Sequence, residues 1–111
     1  MLPETDLRHV LEWAGQRVPP NLLEQIRIEV DTTPSSITIL ECRPPWDALR
    51  SSGWTRMPLA RLRYGKSRKL WTLYWRDRNQ KFHLYDLVEP THSIERLLDE
   101  INRDPTAIFW G

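Results

Sequence analysis

MPLARLRYGKSRKLWTLYWRDRNQKFHLYD, residues 57–86, decides the fold. It breaks into three strand-like runs at two turn signals, Gly65-Lys66-Ser67 and Asp77-Arg78-Asn79-Gln80. Strand side chains alternate between faces, so WTLYW puts Trp71, Leu73 and Trp75 on one side and Thr72, Tyr74 and Arg76 on the other. In the run before it, Ala60, Leu62 and Tyr64 alternate with Leu59, Arg61 and Arg63. In the run after it, Phe82 and Leu84 alternate with Lys81, His83 and Tyr85. A two-residue turn at Arg78-Asn79 sets Trp75 opposite Phe82 and Leu73 opposite Leu84. It also sets Tyr74 against His83, Thr72 against Tyr85 and Arg76 against Lys81; a four-residue loop keeps this register. The expected meander has a core face of Ala60, Leu62, Trp71, Leu73, Trp75, Phe82 and Leu84. Its outer face carries Arg61, Arg63, Thr72, Tyr74, Arg76, Lys81, His83 and Tyr85.

Working outward, Ile26, Ile28 and Val30 alternate with Arg27, Glu29 and Asp31. After Thr32-Thr33-Pro34-Ser35-Ser36, a second run spans Ile37 to Cys42, and the two runs form a hairpin. The connection to the meander begins RPPW at 43–46 and carries Trp46 and Trp54, with Asp47-Ala48-Leu49-Arg50 as one helical turn. At the N-terminus, Thr5 or Asp6 caps a first helix whose stripe is Leu7, Val10, Leu11 and Ala14, with Trp13 near its edge, ending before Pro19-Pro20. Near the C-terminus, Ser93 caps a second helix with a stripe of Ile94, Leu97, Leu98 and Ile101, and Asp104-Pro105 lies beyond its end. The expected fold is α+β: one domain over residues 1–111, with a mostly antiparallel five-stranded sheet (hairpin plus three-stranded meander). It has an N-terminal and a C-terminal helix, the latter packed on the tryptophan face. The apolar tail Thr106-Ala107-Ile108-Phe109-Trp110-Gly111 docks on its own domain or on a neighbouring subunit.

Charge is distributed unevenly. The formal net charge is +1, yet residues 56–81 hold nine basic side chains and one acid, leaving seven basic and fourteen acidic residues elsewhere. Thirteen arginines against three lysines favour planar, bidentate recognition of phosphate or carboxylate. Such a centre suits a polyanionic partner, or pairing between the two halves of the chain. The single Cys42 excludes an internal disulfide and a cysteine zinc site. No run approaches the roughly 20 apolar residues a membrane helix needs, and MLPETDLRHV lacks an apolar signal segment. The expectation is a cytoplasmic protein with no membrane partner.

Four strings taken together, RPPW at 43–46, LARLRY at 59–64, LWTLYWRDRN at 70–79 and IFWG at 108–111, resemble domain of unknown function family 3024, small bacterial proteins. The likeness runs over nearly the whole chain. It implies a bacterial cytoplasmic protein and a stand-alone domain, and carries over no functional residues. A three-stranded meander followed by a helix is also similar in plan to the small DNA-binding domains of phage-type integrases, a likeness of fold alone.

The leading candidate site is the outer sheet face, binding nucleic acid, DNA or RNA. Arg61, Arg63, Arg76 and Lys81 would meet phosphates, with Arg68 and Lys69 in the adjoining turn. Tyr74, His83 and Tyr85 would stack on bases or pack on sugars. A ribbon of strands enters a major groove, and an aromatic sheet holds single strands. Against this stands an ordinary solvated face, or one covered and neutralised by the first helix through Glu4, Asp6 and Glu12. A second reading is a protein-interaction patch of Trp46, Trp54, Phe109 and Trp110, serving a protein partner or a homo-oligomer. A third is a metal-independent ribonuclease using Arg61, Lys81, His83 and Tyr85. No cofactor or metal is expected. The glycines form no phosphate loop, His83, Asp86 and His92 are irregularly spaced for a metal, and Cys42 reads as a packing residue.

Overall fold

The computed structural model describes residues 1–45 and 53–110. Five strands follow one another in the chain: β1 Arg27–Thr32, β2 Ser36–Arg43, β3 Thr55–Gly65, β4 Leu70–Arg76 and β5 Phe82–Leu84. They lie side by side in that same order, each antiparallel to the next. Hairpin and meander are thus one sheet, joined where β2 pairs with β3 from Ser36↔Arg63 to Arg43↔Thr55. A bulge between Ile39 and Leu40 shifts that register, and it lets both Leu59 and Ala60 enter the core. The expected helical turn at Asp47-Ala48-Leu49-Arg50 lies outside the described residues.

Two helices, α1 Glu4–Gln16 and α2 Ile94–Arg103, pack on the face bearing Ile37, Ile39, Leu62, Trp71 and Leu73. Trp71, Leu62 and Leu73 are 0% exposed, as are Ile37, Ile39 and Ala60 beside them. Ile94, Leu97, Leu98 and Ile101 of α2 are buried as their spacing predicts, and the Ser93 side chain accepts a bond from the Arg96 amide at 3.4 Å. Past α2, Asp104 takes the left-handed conformation at φ 41°. Its carboxylate accepts bonds from the amides of Ile108, Phe109 and Trp110 at 2.8–3.0 Å. The Trp110 indole N–H donates to the Ile101 carbonyl at 2.8 Å. The apolar tail is therefore docked on its own chain, with Phe109 buried against Tyr85.

Two expectations for α1 need correction. Neither Thr5 nor Asp6 is its N-cap: the helix starts at Glu4 behind Pro3, without a side-chain cap. The Asp6 carboxylate instead accepts the indole N–H of Trp71 at 2.8 Å, tying α1 to the sheet across 65 residues. The buried stripe is also rotated. Val10 and Ala14 are buried and Trp13 packs on the core, while Leu11 is exposed. Trp13 lies toward the docked tail, where Arg17 sits over both Trp13 and Trp110. His9 of α1 meets Glu95 of α2 at 3.2 Å, so the helices lie side by side on one face. The acids Glu4, Asp6 and Glu12 therefore do not cover the opposite, arginine-bearing face.

The β4–β5 register differs by one residue from the expected one. The pairs are Tyr74↔Leu84, Trp75↔His83 and Arg76↔Phe82. The cause is the loop. The Asp77 amide donates to the Lys81 carbonyl at 2.8 Å and the Gln80 amide to the Asp77 carbonyl at 3.0 Å, leaving three loop residues with Gln80 at φ 67°. The Asp77 carboxylate sets this turn by accepting from the Asn79 and Lys81 amides at 2.8 and 2.9 Å. An odd loop turns every β5 side chain over. Phe82 and Leu84 move to the arginine face; His83 and Tyr85 move to the helix face.

Candidate nucleic-acid interface

Alternation and register together define the sheet face that carries neither helix. From β1 it bears Arg27, Glu29 and Asp31, then Thr38, Leu40 and Cys42 of β2, Arg56, Pro58, Arg61 and Arg63 of β3, Thr72, Tyr74 and Arg76 of β4, and Phe82 and Leu84 of β5. One row crosses all five strands: Asp31, Thr38, Arg61, Tyr74, Leu84. Leu40 and Cys42 are buried on this face too, at 5% and 0% exposure.

The arginines hold distinct places. Arg61 Nε donates to Thr38 Oγ1 at 2.9 Å, and its guanidinium carbon lies 4.0 Å from the Phe82 ring centroid. Arg61 is thus tied on both sides, and Phe82 reaches inward from the edge strand over the sheet. Arg63 is exposed, with its guanidinium 5.0 Å from the Tyr74 ring centroid. Of these two cation–π pairs, Arg63–Tyr74 joins the neighbouring strands β3 and β4 on a diagonal, while Arg61–Phe82 reaches across β4 from β3 to β5. Arg68 and Lys69 are exposed in the β3–β4 turn, beyond Arg63, and Lys81 is exposed in the β4–β5 turn at the opposite end. Arg76 stands at the end of β4, where it also borders a small cleft with Glu41, Met57, Ile108 and Phe109. Among the described residues, none of Arg61, Arg63, Arg68, Lys69, Arg76 and Lys81 is in an ion pair.

Arg56 is the exception. It bonds Asp31 at 2.8 Å and approaches Glu29 at 3.4 Å, so the acidic β1 margin is partly neutralised internally. The Asp31 hydrogen bond, then its charge, hold the Arg56 guanidinium above its usual range. Burial, with the nearby Glu29 charge, pushes the Cys42 thiol up. A thiol held protonated is a poor nucleophile, which agrees with a packing role.

His83 and Tyr85 leave the candidate site. His83 Nε2 bonds Asp77 Oδ2 at 2.6 Å and its ring lies 4.8 Å from that of Trp75, on the helix side. This hydrogen bond, then that of the Lys81 amide, holds the Asp77 carboxyl below its usual range. Tyr85 is 3% exposed and donates to Glu100 Oε2 at 2.7 Å. Burial, then this bond, pushes its hydroxyl up to about 12. Arg61 and this His–Tyr pair are on opposite sides of the sheet, so the expected ribonuclease constellation does not assemble. Phe82 and Leu84 take their place, residues read from sequence as core. Asp77-Arg78-Asn79 was the available signal, since aspartate two residues before an amide it can bond is a turn former.

Trp46 lies outside the described residues. Trp54 is half-buried, with the Arg27 guanidinium 4.1 Å from its ring centroid. Phe109 is buried and Trp110 half-buried in the docked tail, so the expected interaction patch is largely used within the chain. A cleft of about 700 Å³ lies between α2 and the segment before it. It mixes Glu95, Asp99 and Glu100 with Arg96 and Arg103, and Glu100 is already bonded by Tyr85 and Arg103. No single ligand charge suits that lining, and the concentrated charge lies on the sheet. Among the described residues no His, Cys, Asp and Glu side chains group to hold a metal ion, and no helix is long and apolar enough to cross a membrane.

These features define a two-layer α+β protein with helices on one side of an antiparallel sheet and arginines with aromatics on the other. The chain belongs to the domain of unknown function family DUF3024, whose profile matches residues 2–111. No curated protein and no solved structure matches it.

Proposed function

We propose that the protein binds nucleic acid through the helix-free sheet face. The observation that carries this reading is the arginine pair Arg61 and Arg63, held over Phe82 and Tyr74 on a face left open by both helices. Arg68 and Lys69 at one end and Lys81 at the other extend the basic stripe along β4, whose seven residues span roughly 20 Å. Phosphates meet unpaired cations there, and the aromatic rings offer surfaces for bases or sugars. Arg56 and its acids mark the limit of the stripe on the β1 side.

Fluorescence anisotropy with labelled oligonucleotides across a salt series tests this. Phosphate contacts release counterions, so affinity must fall steeply as salt rises. The double variant Arg63→Glu, Arg68→Glu changes two exposed side chains outside ion pairs and should keep the fold, lowering the melting temperature only by the loss of the Arg63–Tyr74 contact. It should weaken binding roughly tenfold or more at low salt and flatten the salt slope by about 1–2. Unchanged affinity in a folded double variant would overturn the site.

A further inference from the structure

We propose, on the basis of the reading above, that the ligand is a single-stranded nucleic acid whose unpaired bases stack at Tyr74, Phe82 and the guanidinium groups over them.

Three observations select a single strand over a duplex. The first is shape. β1 and β2 continue the sheet beside the basic strands, so its face is five strands wide, about 19 Å between the outer strand axes. A major groove about 12 Å wide cannot admit that face. The integrase-like plan, a three-stranded ribbon, does not apply here.

The second is chemistry. The corrected β5 register places Phe82 and Leu84 beside Tyr74 on the arginine face, and Leu84 is 54% exposed. A duplex buries the flat faces of its bases and offers mostly phosphate, sugar and groove edges. Unpaired bases offer flat apolar faces that stack on aromatic rings and on guanidinium planes. Arg61 suits this role because Thr38 and Phe82 fix its position before any ligand arrives. Ordering that side chain then costs little on binding.

The third is the direction of the charge gradient. Across the row from Leu84 to Asp31, the face passes from apolar and basic to acidic. Glu29 and Asp31 share the single Arg56. A duplex laid on the face carries phosphates on both flanks, and one flank would meet Glu29 and Asp31, which outnumber Arg27 on β1. A single strand over β3, β4 and β5 avoids it.

The test compares one 12-nucleotide DNA single strand, the same sequence as a duplex, and the matching RNA, with inorganic polyphosphate as a competitor that has charge but no bases. The wild type should bind a single strand at least tenfold more tightly than the duplex. Tyr74→Ala should weaken single-strand binding roughly fivefold to a hundredfold while leaving polyphosphate binding unchanged. Tyr74→Phe, which keeps the ring, should restore single-strand binding and guards against a folding defect. Equal or tighter duplex binding, or a Tyr74→Ala loss shared equally with polyphosphate, would overturn the single-strand inference while leaving the nucleic-acid reading in place. Absence of binding to every nucleic acid at low salt would overturn both.

Discussion

Replacing Tyr85 with phenylalanine separates the two possible registers of the last strand. In the folded protein the Tyr85 hydroxyl is buried, donates to Glu100 Oε2 at 2.7 Å, and is pushed from 10.0 up to about 12. The unfolded chain releases this proton near its ordinary value, while the folded chain keeps it. Between pH 10 and 12 the folded state therefore binds more protons, and stability falls as pH rises. Two units correspond to on the order of 2–3 kcal/mol, fully present below pH 10 and lost by about pH 12. Tyr85→Phe lacks that dependence. At pH 7 it should also cost about 1–3 kcal/mol, because the Glu100 carboxylate loses a buried donor. Urea unfolding of both proteins at pH 7, 9, 10, 11 and 12 reads the difference directly, since titrations common to both cancel. The wild-type advantage should shrink through the alkaline range. A constant difference from pH 9 to 12 would refute the reasoning. It would mean a solvent-facing Tyr85 and a β5 strand turned the other way.

Two further outcomes follow from the packing. Trp71→Ala should cost about 3–5 kcal/mol in urea unfolding, because Trp71 is fully buried and bonds Asp6. Trp75→Ala should cost clearly less, since Trp75 is only half-buried against His83; equal costs would contradict this core. Asp77, held below its usual value of 3.8 first by its His83 bond, contributes stability above that value that is lost as pH falls through the folded pKa. Asp77→Ala should remove this acid-side dependence and speed hydrogen exchange of the Asn79 and Lys81 amides near neutral pH. Exchange unchanged from wild type would show that the carboxylate does not set the turn.

Alternation alone made β3 and β4 legible. Ala60, Leu62, Tyr64, Trp71, Leu73 and Trp75 share one face, as alternation requires, while the pairing from Ala60↔Trp75 to Tyr64↔Trp71 is set by the turn and was not read from the pattern. The stripe of α2 and its Ser93 cap were equally plain, because four apolar positions at helical spacing leave one rotation. The β5 register was not legible for a definite reason. A three-residue loop ordinarily announces itself by glycine at its left-handed position, and here Gln80 occupies it at φ 67°. The expected register also looked better by hydrophobic pairing, since it matched Trp75 with Phe82. A polar cap on three groups by Asp77 outweighed that match. The same exchange changed the candidate site, giving it Phe82 and Leu84 for His83 and Tyr85. That Asp6 bonds Trp71 rather than capping α1 is a contact between residues 65 apart, beyond the reach of local pattern.

Strand order that follows chain order leaves β1 and β5 as the two edges of the sheet. Open edges are templates on which other chains add strands and aggregate. Both edges here are poor templates. β5 is three residues long, and the chain turns inward after it to bury Tyr85. β1 alternates Arg27, Glu29 and Asp31 along its length, so a copy approaching in extended form must set charges against a row of both signs. Resistance to fibril-like association is thus built into the sheet's margins, and it does not depend on covering the broad helix-free face.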